Sequence, residues 1–374
     1  MTATARAAVA VEALHTELWD FPVPDIGPDE GLVEMEASGV CGTDWGLYRR
    51  SLGGDLGPLI LGHENVGRLD AVGDAAADRW GVAAGDRVAV EEFLPCGTCR
   101  LCRSGHYRIC EATDSRRPGP FLRYGATPVD RPPGLWGGFS QYLYLHPHTI
   151  VYRVPDGVSP DLAALFVPIG NGIRWVLHEG GGELGQSILI QGPGQHGLGC
   201  VVAAREAGLG PIVVSGLSAD DARLEVAGHL GADHLIRADG EDVEAAVMEV
   251  TDGLGVDMVV DVTPGATETV ETAIACAAKR GVVVLAGGKH GRPVSRFAHD
   301  DVVRKELVLR GVRGHDHRSV EPALRLIASG RYPLDEVVTN TFPLEEADRA
   351  LRVVGERTDP AAIHVNVVPQ TGGA

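Results

Sequence analysis

The chain has no run of eighteen apolar residues, so nothing in it reads as a membrane-spanning helix. It also lacks any excess of positive charge. A formal net charge of −18 gives no basic footprint for nucleic acid or for an anionic membrane surface, and both are excluded as partners. Internal repeats and low-complexity tracts are absent as well. The start, MTATARAAVAVEAL, carries one Arg, a short apolar stretch and then Glu12, and it reads as the first strand of a cytoplasmic protein without a signal peptide. What is present is ordinary for a folded globular protein, with 44% hydrophobic and 22% charged residues. A chain of 374 residues exceeds one compact core, so two domains are expected.

The seven cysteines are unevenly spread. Cys41, Cys200 and Cys276 stand apart, whereas Cys96, Cys99, Cys102 and Cys110 form a C-x2-C-x2-C-x7-C array. Thiolates this close, on a loop with the turn-forming Gly97 and Gly105, can converge tetrahedrally on one Zn²⁺ with no open position, which describes a structural site. Disulfide pairing is the alternative. The two-residue spacings and the lack of a signal for an oxidising compartment favour metal.

Up to about residue 160 the chain is rich in Gly and Pro, with short alternating stretches at Gly31–Glu36 and Gly85–Val90, and a small β-rich unit is expected. The stretch from Ser115 to Gly138 has no periodicity and reads as a long loop. Near Leu162 the texture changes. Ser187–Gln191, Pro211–Ser215, Asp257–Asp261 and Gly281–Leu285 are continuous apolar runs, separated by helical stretches such as Leu198–Ala207 and Asp221–Leu230. Buried strands alternating with helices predict an α/β, doubly wound parallel sheet. Beyond about residue 312 follow a helix over Val320–Ser329, a strand over Val337–Phe342, another helix and a last strand over Ile363–Val368, which need not extend that sheet.

Gly192-Pro-Gly-Gln-His-Gly197 follows the first of these buried strands and opens a helix, the context in which G-x-G-x-x-G means dinucleotide binding. Gly192 permits the tight turn, Gly194 lets backbone approach a pyrophosphate, and Gly197 lets the helix pack on the strand. The acid that would hold the adenosine ribose belongs near Ser215-Gly216, and none stands there. Ser215, Gly216 and Ser218 leave room for a 2′-phosphate that Arg223 can pair with, against the negative charge of Asp220 and Asp221. NAD and NADP both remain open, with a lean toward NADP. His196 is expected to be an exposed loop residue without chemistry.

Cys41-Gly-Thr-Asp44 precedes Gly62-His-Glu64. Cys41 and His63 offer one thiolate and one imidazole, a ligand set suited to a catalytic zinc that keeps a position open, and Glu64 can complete it. Such a zinc would ease proton loss from an alcohol and polarise the carbonyl formed when hydride leaves, with Thr43 as the first hydroxyl on the proton's way out. Singly, Cys41 and His63 would read as a buried thiol and a core histidine. Their combination carries the chemistry.

These features together resemble the zinc-containing medium-chain alcohol dehydrogenase family, in its polyol- and threonine-dehydrogenase-like branch, over nearly the whole chain. The resemblance rests on C-G-T-D at Cys41–Asp44, G-H-E-x-x-G at Gly62–Gly67, G-D-R-V-A-V at Gly85–Val90, the four-cysteine lobe, G-G-F-S-Q-Y at Gly137–Tyr142, the nucleotide loop, L-G-A-D at Leu230–Asp233 and K-E at Lys305-Glu306. It implies a GroES-like catalytic domain over 1–164 and 313–374, carrying a zinc lobe at about 94–112, and a Rossmann domain over 165–312. Two zincs per subunit, an NAD(P) cofactor, a small alcohol or carbonyl substrate and a homodimer or homotetramer follow from it. Carried over by position, Cys41 and His63 are catalytic zinc ligands, Thr43 the relay hydroxyl, and Cys96, Cys99, Cys102 and Cys110 the structural site.

The chain departs from the family at three places. Val167 stands where the branch often has an acid before Pro168-Ile-Gly-Asn171, which leaves Glu64 as the third ligand. Gly46 stands where a relay histidine is common, and the acid is missing at Gly216. Phe121, Tyr124 and Trp136 are candidates to line the substrate cleft or to pin their loop. Arg116, Arg117 and Arg123 can attract an anionic substrate or be solvated. The reaction expected is hydride transfer between NAD(P) and a secondary or cyclic alcohol. A dismutase or non-redox enzyme with tightly held nicotinamide, and a decayed zinc-stabilised binding protein, are the alternatives.

Overall fold

The computed structural model describes residues 3–50, 57–114 and 121–369, in two compact units. The first comprises 1–166, 324–329 and 338–374, and the second 167–323 and 330–337. The second unit therefore continues past the expected boundary at 312, because the helix His317–Ala328 is divided between the two. Among the described residues no helix is long and apolar enough to cross a membrane. Arg116 and Arg117 lie outside the described residues.

The first unit is built on the strand Gly31–Gly39, in which Val33 and Met35 are buried and Glu34 and Glu36 half-exposed. That alternation gives the strand one core face, and it runs on beyond the expected Glu36. It pairs antiparallel with Glu64–Val72 along its length, with Tyr142–Leu145 over Gly31–Glu34, and with His364–Val368 at its C-terminal end. Val338–Pro343 lies parallel to His364–Val368, so both C-terminal strands join a seven-stranded sheet of the first unit. The intervening helix Ala347–Glu356 buries Ala347, Ala350, Leu351 and Val353, an i, i+3, i+4 stripe. A separate three-stranded sheet holds His15–Pro22, Thr4–Glu12 and Leu59–Ile60.

The aperiodic loop is pinned by aromatics. Tyr124 and Trp136 are 0% and 1% exposed, and their rings stack with centroids 6.1 Å apart. Tyr124 Oη lies 2.6 Å from Thr149 Oγ1, and Trp136 Nε1 donates to the Arg131 carbonyl at 2.9 Å. Each polar tip is thus satisfied and each ring buried, which makes them loop anchors and not cleft walls. Phe121 is half-buried.

In the second unit six parallel strands follow the order His234–Arg237, Ile212–Gly216, Ile188–Gln191, Val256–Asp261, Ala277–Leu285 and Val308–Gly311. This is the doubly wound dinucleotide-binding sheet. The four inner strands are the apolar runs of the sequence. The two edge strands were not legible, because each is covered less and carries exposed residues such as Leu235 and Val308. The helix Gln195–Glu206 starts earlier than the expected Leu198, so His196 is helical and half-buried, not a loop residue. Its ring packs 5.6 Å from Trp175, and its Nδ1 lies 3.1 Å from Asn171 Nδ2.

Trp136→Ala removes the largest fully buried side chain of the first unit. It should cost about 3–5 kcal/mol in urea unfolding. A loss below about 1 kcal/mol would mean the ring does not anchor the loop.

Candidate active site and metal centres

The four-cysteine lobe is shaped by backbone amides aimed at sulfur. Cys96, Cys99 and Cys102 donate their N–H groups to the sulfurs of Cys110, Cys96 and Cys99, each at 3.4 Å. The sulfur separations are 3.5 Å for Cys99–Cys102, 3.6 Å for Cys96–Cys110 and 3.9 Å for Cys99–Cys110. Four sulfurs at about 2.3 Å from one Zn²⁺ form a tetrahedron with edges of about 3.8 Å. The thiols therefore fit that ion as they stand. All four are free thiols, with these separations beyond the roughly 2.05 Å of a disulfide bond. The Thr98 hydroxyl and nearby amides push the Cys96 thiol down to about 6, and the Cys102 and Glu111 amides lower Cys99. Burial and neighbouring thiols drive Cys102 the other way. One cation at the centre would satisfy all four.

Cys41 caps the short helix Gly42–Tyr48, and Glu64 begins the strand paired with Gly39. Both are buried, and their ligand atoms lie within 4.8 Å of each other. A side chain at Gly39 would place its Cβ 2.2 Å from Glu64 Oε2, so glycine there is what admits the carboxylate. His364 Nδ1 stands 3.8 Å from the same oxygen.

His63 is oriented by a residue to which the sequence reading assigned no role. Asp44 is fully buried, with Oδ2 accepting the Cys41 N–H at 2.9 Å and Oδ1 accepting the Gly62 N–H at 3.0 Å. The same Oδ1 lies 3.1 Å from His63 Nδ1, which leaves Nε2 as the nitrogen that could bind a metal. Burial opposes a charge on His63, but Asp44 and Glu92, aided by Cys41, hold the imidazole well above its usual range. Thr43 is exposed, with Oγ1 3.9 Å from Cys41 Sγ. A Cβ at Gly46 would meet nothing within 4 Å, so the place of the missing histidine is open space. Val167 is buried in the helix Phe166–Ile173 of the second unit.

Beside His63 lies a buried ionic cluster that no motif announced. Glu92 Oε2 is 3.9 Å from His63 Nε2 and accepts from Arg123 Nε at 2.8 Å, while Arg108 Nη2 binds Glu92 Oε1. Arg108 Nη1 lies 2.5 Å from Glu91 Oε1, and Tyr107 Oη donates to Glu91 Oε2 at 2.7 Å. Burial works against the Glu92 charge, yet Arg123 and Arg108 hold its carboxyl well below the usual range. Arg123 is therefore neither solvated nor a substrate anchor, because its guanidinium is held by Glu92 and stacks on Phe93, 4.9 Å from that ring's centroid. The signal for this cluster was the acid pair Glu91-Glu92 inside an apolar stretch, since buried carboxylates require partners.

In the second unit Gly192 has φ +104° and donates its N–H to the Ser215 carbonyl at 2.8 Å, which locks the glycine turn to the next strand. Gly194 precedes the helix with open space where a Cβ would stand, the cradle a pyrophosphate needs. A Cβ at Gly197 would lie 1.9 Å from the Gly192 carbonyl oxygen. At the expected ribose edge Ser215 is buried, and a Cβ at Gly216 would lie 2.8 Å from Pro193. Ser218 Oγ donates to Asp239 at 2.8 Å, and Arg223 Nη1 lies 3.4 Å from Asp220 Oδ1.

Comparison with known proteins places this geometry. The family model described as "Alcohol dehydrogenase GroES-like domain" matches residues 27–156, and that described as "Zinc-binding dehydrogenase" matches 197–329. The "Probable alcohol dehydrogenase" of Mycobacterium tuberculosis is 42% identical over 98% of this chain and 99% of its own length. An L-threonine 3-dehydrogenase of Pyrococcus abyssi is 33% identical over 88% of this chain and 89% of its own. A Sinorhizobium meliloti protein assigned as a zinc-binding dehydrogenase and bound to NADP superposes with a TM-score of 0.84 at 25% identity, covering 98% of this chain and 100% of that one.

A metal at Cys41 and His63 needs a bare imidazole nitrogen, whereas Asp44 and Glu92 keep the metal-free ring protonated above its usual pH range. Affinity at this site should thus weaken as pH falls through that raised value, by about tenfold per pH unit for each proton displaced. Cobalt titration of the metal-free protein at several pH values checks this, and Asp44→Asn should shift the dependence to lower pH. A pH-independent affinity would contradict it.

Proposed function

The chain belongs to the zinc-containing medium-chain alcohol dehydrogenases, and from that premise we propose that it interconverts a secondary or cyclic alcohol with its ketone by hydride exchange with NAD(P). The observation that carries the site assignment is the buried Cys41–Glu64 pair, with ligand atoms within 4.8 Å, beside a His63 whose Nδ1 is taken by Asp44. The preference for a secondary alcohol is supported by the threonine 3-dehydrogenase relative, whose named position is a secondary carbinol. A buried Val167 in place of an acid makes that part of the second unit less polar.

Cys41, His63 and Glu64 would hold one zinc, and Cys96, Cys99, Cys102 and Cys110 the other. When bound, the catalytic zinc supplies a Lewis acid for the substrate oxygen and the nicotinamide a two-electron hydride acceptor. Asp44 keeps the His63 tautomer and ring plane constant. Thr43, exposed in the first helical turn, accepts the hydroxyl proton and passes it to water, since the open space at Gly46 offers no imidazole. The loop Gly192–Gly197 cradles the dinucleotide phosphates, with Ser215 and Gly216 at its ribose edge. Arg223 is the cation offered to a 2′-phosphate, opposed by Asp220 and Asp239, and this supports a modest preference for NADP. The enzyme is proposed to be cytoplasmic, and the family resemblance implies a homodimer or homotetramer.

Cys41→Ser should abolish turnover, at least a thousandfold in kcat/KM, while circular dichroism and dinucleotide binding remain those of wild type. Full activity would remove Cys41 from the site. A panel of secondary, cyclic and primary alcohols, run in parallel with NAD and NADP, identifies the substrate class. In that panel Arg223→Ala should lower kcat/KM with NADP by about tenfold and leave NAD unchanged. Equal losses with both cofactors would rule Arg223 out of 2′-phosphate recognition.

A further inference from the structure

The acid pair Glu91-Glu92 links the four-cysteine lobe to His63 within the first unit. On one side is Arg108, within the Cys102–Cys110 interval and two residues ahead of Cys110. Its guanidinium bridges both acids, with Nη1 2.5 Å from Glu91 Oε1 and Nη2 on Glu92 Oε1. On the other side Glu92 Oε2 takes Arg123 and faces His63 Nε2 at 3.9 Å. The two oxygens of one buried carboxylate are thus tied to different parts of the chain, one to the cysteine lobe and one toward the His63 ring. The Phe93 ring lies 4.7 Å from the Arg108 guanidinium and 4.9 Å from that of Arg123, so neither can swing away without unstacking.

The turn Tyr107–Ile109 that carries Arg108 is itself closed by the Cys110 N–H on the Tyr107 carbonyl at 2.9 Å. The Cys110 sulfur and the Arg108 guanidinium are thus carried on one closed turn. Withdrawing Arg108 would leave Glu92 with one partner fewer in a site shielded from water, and a buried carboxylate in that condition turns to the nearest remaining cation. The nearest candidate besides Arg123 is the group at His63 Nε2.

We propose that Glu92 is a positioning residue for His63, and that through Arg108 it makes the hold on the catalytic metal depend on whether the four-cysteine lobe is filled. The inference rests on Cys41, His63 and Glu64 being the catalytic ligands. Glu92 acts through its contacts with Arg108, Arg123 and His63. It balances two guanidinium charges that would otherwise repel a metal cation, and it sets the electrostatic surroundings of the imidazole nitrogen that binds it.

The test follows metal retention and spectrum in the full chain, with zinc in the lobe and cobalt in the second site. Glu92→Gln keeps the side-chain shape but leaves both guanidinium groups under-compensated, and it should speed cobalt loss to a chelator by at least about tenfold, with shifted visible bands. Emptying the lobe by Cys99→Ser with Cys102→Ser should speed cobalt loss by about fivefold or more in the Glu92 protein and add nothing in the Glu92→Gln background. Should the double serine variant not fold, Arg108→Gln with a filled lobe takes its place in the same comparison. A folded Glu92→Gln variant that retains cobalt like wild type, or lobe effects equal in both backgrounds, would overturn the coupling. Wild-type protein that binds only one metal per chain would instead refute the ligand assignment on which it rests.

Discussion

The arrangement of the first unit's reactive residues depends on one buried carboxylate. Asp44 accepts from the Cys41 N–H, the Gly62 N–H and His63 Nδ1, and so ties its own turn to a segment that begins 18 residues further along the chain. A side chain with no exposure cannot borrow water for any of these bonds, so each must be made inside the protein. The thiolate, the imidazole tautomer and the turn at Gly62 are thereby set by a single group. Loss of that group would orphan two buried amides at about 1–3 kcal/mol each, apart from any effect on chemistry.

The same logic of burial accounts for the ionic cluster next to it. Two acids and two arginines lie inside the first unit at almost no exposure, which is costly unless every charge is matched. The matching is tight here: each Glu92 oxygen has a guanidinium partner, and Tyr107 completes Glu91. Such a cluster adds little net stability over an apolar core. Its consequence is geometric, because it restricts where the lobe turn, the pinned loop and the His63 ring can stand relative to one another within this unit.

The second unit solves a different problem with fewer charges. Its glycine turn is held by the Gly192 N–H on the neighbouring strand, and the approach of Gly197 to the Gly192 carbonyl leaves no room for a side chain. The helix that follows then begins at Gln195, close enough for its amides to face a phosphate. His196 lies within that helix, although its place in the glycine pattern suggests a loop. The N-cap conformation of Gly194, with φ −73° and ψ 176°, starts the helix before it.

Several features were legible from the amino-acid sequence alone. Cysteine spacing carries the lobe, because four thiolates within fifteen residues have few other uses, and continuous apolar runs carry the inner parallel strands. The glycine pattern after a buried strand likewise needs only local context. Cys41, His63 and Glu64 stood out by residue type and motif, while the acceptor that orients His63, Asp44, did not. Tertiary structure decided the rest. That Arg123 faces Glu92 and not solvent, that Tyr124 and Trp136 anchor a loop instead of lining a cleft, and that the last two strands complete the first unit's sheet are all long-range pairings. Local sequence records what a residue can do. Only the folded chain determines which distant charge or ring meets it, because the cost of leaving a buried group unmatched is paid at the contact.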